Sequence, residues 1–151
     1  MSFKSIEDII KYAIEKEAEA VKFYTDAGKQ EKYSAARKTF ESFADEEKKH
    51  KAMLENLDPK NVAGFKPAGI ADLKRSDYMV DIAYKAGMSY PDILRLAMKR
   101  EEKAKKFYDD CAGRVDAGGH KKLFQMLSQE EAKHKLALET LYDNIMAKGG
   151  D

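Results

Sequence analysis

Two short motifs pair a carboxylate with an imidazole three residues on, Glu47-Lys48-Lys49-His50 and Glu131-Ala132-Lys133-His134. On a helix, residues three apart share a face, so each Glu and His can reach one metal ion together. Thirty residues before each motif stands another acid, Glu17 before Glu47 and Glu101 before Glu131. A lone Glu-x-x-His arises readily by chance in helices rich in Glu and Lys. Two copies in register, each preceded by an acid at the same distance, are a strong metal signal. Oxygen and nitrogen donors of this kind can hold Fe, Mn or Zn. Cys111 is the only cysteine, so an internal disulfide and a Cys-x-x-C metal site are both excluded.

The elements that must position these residues come as a repeat. The stretch from Glu17 to Leu57 aligns without a gap on that from Glu101 to Leu141, 84 residues later. The match pairs Ala20 with Ala104, Phe23-Tyr24 with Phe107-Tyr108, Phe40 with Phe124, Glu46-Glu47 with Glu130-Glu131, and Leu54 with Leu138. Each copy reads as a helical hairpin, so the fold is expected to carry a pseudo-twofold axis. Periodicity predicts helices over about 5–28, 33–57, 89–112 and 117–146, with ends uncertain by about 2–4 residues. Gly28 and Gly113 stand where hairpin turns are expected, and Pro91 suits a first helical turn. The hairpins, about 5–57 and 89–146, are joined by a crossover of about 58–88. It is too long for a tight turn and lets the second and third helices run parallel. A short helix is expected in it around Ser76–Gly87.

Alternating steps of four and three trace one face of each helix. The first carries Ile6, Ile10, Ala13, Glu17, Ala20 and Tyr24; the second Ala36, Phe40, Phe43, Glu47, His50, Leu54 and Leu57. The third carries Tyr90, Leu94, Ala97, Glu101, Ala104, Tyr108 and Cys111; the fourth His120, Phe124, Leu127, Glu131, His134, Leu138, Leu141 and Ile145. Every position is apolar or aromatic except the six ionisable residues at mid-helix and His120, which reads as a surface or end-cap histidine. An unpaired buried carboxylate costs several kcal/mol even after relaxation, so four facing one another would overwhelm a small bundle. Two divalent cations would balance the four carboxylates. One Glu from each of two helices, with Glu-x-x-His from the other two, is the ligand pattern of two-metal carboxylate bundles. Cys111 reads as small apolar filling and Met53 as core or interface packing.

Composition supports helices and excludes several roles. The 151 residues are 36% charged and 43% hydrophobic, with no Trp and three Pro. One domain spanning 1–151 is expected. The net charge of +1 offers no basic footprint for nucleic acid. No apolar run approaches the roughly 20 residues that cross a bilayer, and the N-terminus lacks the pattern of a secretory signal. The cytoplasm is the expected location.

The residues now in hand resemble the ferritin-like di-iron superfamily, and within it the di-iron domain of rubrerythrin. The resemblance rests on Glu-x-x-Ala-x-x-Phe-Tyr at Glu17 and Glu101 and Glu-Glu-x-x-His ending at His50 and His134. It implies an all-α, ferritin-like four-helix bundle. It also implies two metal ions per chain, iron first and zinc or manganese as alternatives, with Glu17 and Glu101 as terminal ligands, Glu47 and Glu131 bridging, and His50 and His134 as nitrogen ligands. Tyr24 and Tyr108 would donate hydrogen bonds to ligand carboxylates. The implied activity is reduction of peroxide or dioxygen with electrons from an external donor such as a rubredoxin, in an oxidative-stress protein that forms a homodimer. Iron oxidation as in ferritins, or metal binding without turnover, are the other classes. The chain departs from the family in two ways: it has no cysteines for a rubredoxin domain, and Ala104 stands where rubrerythrins carry an extra carboxylate. With Ala20 and Ala104 at matching places, a nearly twofold centre is expected. Storage cages also carry a fifth helix, which this sequence is not expected to form after MAKGGD.

Overall fold

The computed structural model describes residues 3, 5–30, 34–57, 75–80, 83–114 and 119–149. Four helices dominate: α1 (Ile6–Gln30), α2 (Ser34–Glu55), α3 (Tyr90–Ala112) and α4 (Gly119–Ala147). Among the described residues there is no strand. The observed limits lie within three residues of the expected ones.

Local chemistry sets the helix starts. The Ser5 hydroxyl accepts from the Asp8 amide at 3.1 Å, and Glu7 and Asp8 place negative charge in the first turn of α1. Ser89 does the same for α3, accepting from the Asp92 amide at 3.2 Å, with Pro91 beside it in the first turn. Gly113 follows α3 as expected, its amide donating to the Asp109 carbonyl at 3.0 Å. Gly28 does not form the first hairpin turn. It lies inside α1, where a Cβ would meet the Phe40 Cβ at 3.5 Å, so its part is packing against α2.

The α1–α2 and α3–α4 pairs pack as hairpins. Tyr24, late in α1, meets Glu101, early in the second half, while Glu17 meets Tyr108. That crossed pairing makes α1 and α3 antiparallel, and α2 and α3 therefore parallel, as a long crossover allows. The chain is an all-α four-helix bundle.

Among its described residues the crossover forms a 3-10 turn, Arg75–Tyr78, where a short helix is expected. Much of that stretch, Met79–Val80 and Ala83–Gly87, is not helical, and Asp81 and Ile82 lie outside the described residues. Tyr78 packs into one apolar cluster while Val80 and Tyr84 pack against the other. A helix rising about 1.5 Å per residue would reach less than half as far as extended chain. Gln30 pins the far end, accepting from the Tyr84 hydroxyl at 2.6 Å and the Gly87 amide at 3.2 Å.

Two apolar clusters fill the bundle. One gathers Ile9, Tyr12, Leu54, Phe107, Cys111, Phe124 and Leu127. The other gathers Phe23, Ala27, Phe40, Phe43, Leu94, Leu96 and Leu138. Repeat-related residues fall in opposite clusters, Phe23 against Phe107, Phe40 against Phe124 and Leu54 against Leu138, as a pseudo-twofold axis demands. Cys111 is fully buried packing, as expected. Met53 is 39% exposed and does not belong to the core, because its seam neighbours His50 and Leu54 take the inward positions. The side chain of His120 lies outside the described residues.

Candidate metal centre

Glu17, Glu47, His50, Glu101, Glu131 and His134 are all 1–3% exposed. The structure brings together all six seam residues singled out by spacing. Donor atoms of Glu17, Glu47, His50 and Glu131 lie within 4.8 Å of one another, and so do those of Glu47, Glu101, Glu131 and His134. The two sets share Glu47 and Glu131, the positions from which a carboxylate can bridge two ions. Glu17 and Glu101 belong to one set each. The antiparallel packing of α2 and α4 sends each imidazole across to the other hairpin. His50 Nδ1 lies 3.2 Å from Glu131 Oε1, and His134 Nδ1 lies 3.2 Å from Glu47 Oε1.

One atom of each of the six has no hydrogen-bond partner: Glu17 Oε2, Glu47 Oε1, His50 Nδ1, Glu101 Oε2, Glu131 Oε1 and His134 Nδ1. A buried polar atom left unsatisfied costs about 1–3 kcal/mol. Six such atoms, all oxygen or nitrogen, converging on one small volume fit a pair of cations.

Tyrosines fix the outer oxygens. The Tyr108 hydroxyl donates to Glu17 Oε1 at 2.5 Å, and the Tyr24 hydroxyl donates to Glu101 Oε1 at 2.5 Å. Each carboxylate is thus left with one free oxygen, its Oε2. Burial, then the facing carboxylates, push both phenols well above their usual range, so each keeps its proton.

The proton inventory of the cluster without ions is skewed. Burial pushes Glu17 up to about 8, and burial with the Glu101 and Glu47 charges pushes Glu131 well above the carboxylate range. Burial also opposes charge on the histidines, yet their carboxylate neighbours win. Glu17 and Glu47 raise His50 to about 10, while Glu101 and Glu47 raise His134 to about 11. Glu47, although buried, is held below its usual range by contact with both imidazoles. Protons here occupy the sites where cations would sit, so metal uptake must displace them.

A cavity of about 120 Å³ opens from the centre on its α1–α3 side. Glu17, Ala20, Tyr24, Glu101, Ala104 and Tyr108 line it, with Glu47 and Glu131 behind them. Neither His50 nor His134 reaches it. Half-exposed Lys16, Arg100 and Lys103 also line it, against one outer acid, Glu19.

Spacing did not reveal three neighbours of the site, Tyr78, Val80 and Glu46. Tyr78 and Val80 of the crossover also line the cavity, and no pattern in the sequence marks them. Glu46 pairs with His134 Nε2, and Phe43 stacks on the same ring at 4.0 Å. The repeated Glu-Glu doublet held a signal for Glu46, since its first acid recurs as faithfully as its second.

No curated protein compared with the chain matches it. A hypothetical protein of Pyrococcus furiosus superposes with a TM-score of 0.75 and 26% identity, over 95% of this chain and 91% of that one. A Thermotoga maritima protein described as ferritin-like diiron-carboxylate superposes with a TM-score of 0.74 and 17% identity, over 95% of each chain; this second likeness speaks to the fold. The sequence model of rubrerythrin matches residues 2–58 and 92–148, one span in each hairpin, including all six buried Glu and His residues. The chain therefore belongs to the rubrerythrin family.

Proposed function

We propose that this protein is a di-iron peroxidase-type oxidoreductase that draws electrons from an external donor. The observation that carries this reading is the convergence of six partnerless donor atoms beside a cavity on one side of the cluster. Glu17, Glu47, His50 and Glu131 would hold one ion, and Glu47, Glu101, Glu131 and His134 the other. When bound there, ferrous iron would supply the two electrons that, with two protons, turn hydrogen peroxide into two waters.

The chain's own groups hold and orient. Tyr24 and Tyr108 keep their protons and fix Glu101 and Glu17, so that one oxygen of each faces inward. Ala20 and Ala104 keep the α1–α3 side clear for a small oxidant. Lys16, Arg100 and Lys103 put positive charge beside the same path. That charge is no barrier to neutral peroxide.

Stopped-flow absorbance of the iron-loaded, anaerobically reduced protein tests this against each oxidant. Faster oxidation by hydrogen peroxide than by dioxygen is expected. Faster reaction with dioxygen, together with a soluble ferric mineral, would establish storage instead.

A further inference from the structure

The six donors obey the pseudo-twofold axis, but what lies behind them does not. Behind His134, the Glu46 carboxylate meets Nε2 and the Phe43 ring stacks at 4.0 Å, tilted by 19°. The repeat places Glu130 and Leu127 in the corresponding positions for His50. Glu130 turns toward Lys133, 3.7 Å away, and among the described residues no hydrogen bond or ion pair joins it to His50. Leu127 has no ring to stack.

An imidazole that donates from one nitrogen to a carboxylate is locked in the tautomer that offers the other nitrogen to a metal, and it becomes a stronger donor. The Glu46 carboxylate engages His134 Nε2, which leaves Nδ1, beside Glu47 and Glu101, as the nitrogen that would turn its lone pair to an ion there. Phe43 fixes the plane of the ring. Neither constraint acts on His50, whose Nδ1 nonetheless faces Glu17, Glu47 and Glu131 at 3.2–3.7 Å.

We propose that Glu46 and Phe43 are positioning residues for His134 that make the two ion positions unequal, the one at His134 filling first and holding its ion more tightly. This rests on the metal-centre reading above. Unequal positions give the protein an ordered loading sequence and a state with one ion per chain, which a symmetric centre would populate only in passing.

The test is titration of the metal-free full-length protein with cobalt(II), followed by the visible absorbance of the bound ion and by calorimetry. Wild type should take up two ions in resolved phases with affinities separated by about tenfold or more. Glu46→Ala should weaken the tighter phase by about ten- to hundredfold and merge the two. Glu46→Gln, whose amide oxygen still accepts from Nε2, should restore part of the gap. Glu130→Ala, the repeat-related change, should leave both phases in place. In a His134→Ala background the tighter phase should vanish and Glu46→Ala should have no further effect. Two equal affinities in wild type, or equal shifts from Glu46→Ala and Glu130→Ala, would overturn the proposal. So would a Glu46→Ala protein that melts lower without metal yet keeps both phases, since Glu46 would then be a structural contact. A wild-type protein that binds no cobalt would overturn the metal centre itself and this inference with it.

Discussion

The two sides of the buried cluster are built for opposite purposes. On the α2–α4 side the imidazoles face carboxylates of the opposite hairpin, and His134 is closed in by Phe43 and Glu46. On the α1–α3 side the carboxylates border a cavity kept open by Ala20 and Ala104. One side holds; the other leaves room. Ligand number alone does not create that difference, because each helix of a pair contributes the same donors. It comes from what stands one turn away: a large aromatic ring on α2, a methyl group on α1 and α3.

The comparison breaks most completely if the shared carboxylates are removed. Glu47→Ala with Glu131→Ala should take metal content from two ions per chain to less than one, read by elemental analysis of protein purified with iron or zinc in excess. Unchanged metal content would remove the holding role from the α2–α4 side.

Ala104→Leu probes the open side. Filling the cavity should slow oxidation of the reduced protein by peroxide about tenfold, or about 1.4 kcal/mol of barrier, with two ions still bound. A change in metal content without a change in rate would mean that the sides are not separate in function.

Tyr108→Phe and Tyr24→Phe join the sides, since each removes a 2.5 Å hydrogen bond that sets a carboxylate at the cavity's inner edge. Each should weaken metal binding about tenfold, by competition with a coloured chelator. Equal affinity to wild type would show that burial alone orients Glu17 and Glu101.

A subtler separation comes from pH. Glu17, His50 and His134 have folded values raised to about 8, 10 and 11, above their ordinary ones. In the metal-free protein their contribution is complete below the ordinary values and is lost as pH rises through the raised ones. The metal-free protein should therefore lose stability between about pH 7 and 10. Ions displace those same protons, so the rise in Tm on adding metal should grow over this range. Glu47, held low, acts only on the acid side. A metal-induced rise that shrinks with pH would contradict the proton inventory.

The smallest change tests neither side. Gly28→Ala lies within α1 with ordinary contact distance to Phe40 and should raise stability by about 0.5–1 kcal/mol in chemical denaturation. Metal affinity should not move.

The donors were legible because burying Glu and His in an apolar seam violates helical patterning so plainly that only a shared purpose explains six violations at one level. The bundle was legible because the repeat doubles every helical signal. Helix ends were less so: Gly28 reads as a turn residue by type, yet packing against Phe40 carries α1 past it. The crossover could not be read, since Tyr78 and Tyr84 are placed by clusters assembled from distant helices. Glu46 and Glu130 look identical in sequence. Only the tertiary arrangement sends one to an imidazole and the other toward a lysine.

The crossed tyrosines bear on the order in which the chain acquires its shape. Tyr24 meets Glu101 across 77 residues and Glu17 meets Tyr108 across 91, so neither hairpin can orient its own carboxylate. Closing such long loops costs entropy that local helix formation does not repay. Hairpins can form early, but the donor set is complete only after the halves have docked. Ions that require the whole set act after the folding barrier, and interactions absent at the barrier slow escape from the native state without hastening arrival. Metals bound in this bundle would work as a latch on a finished fold.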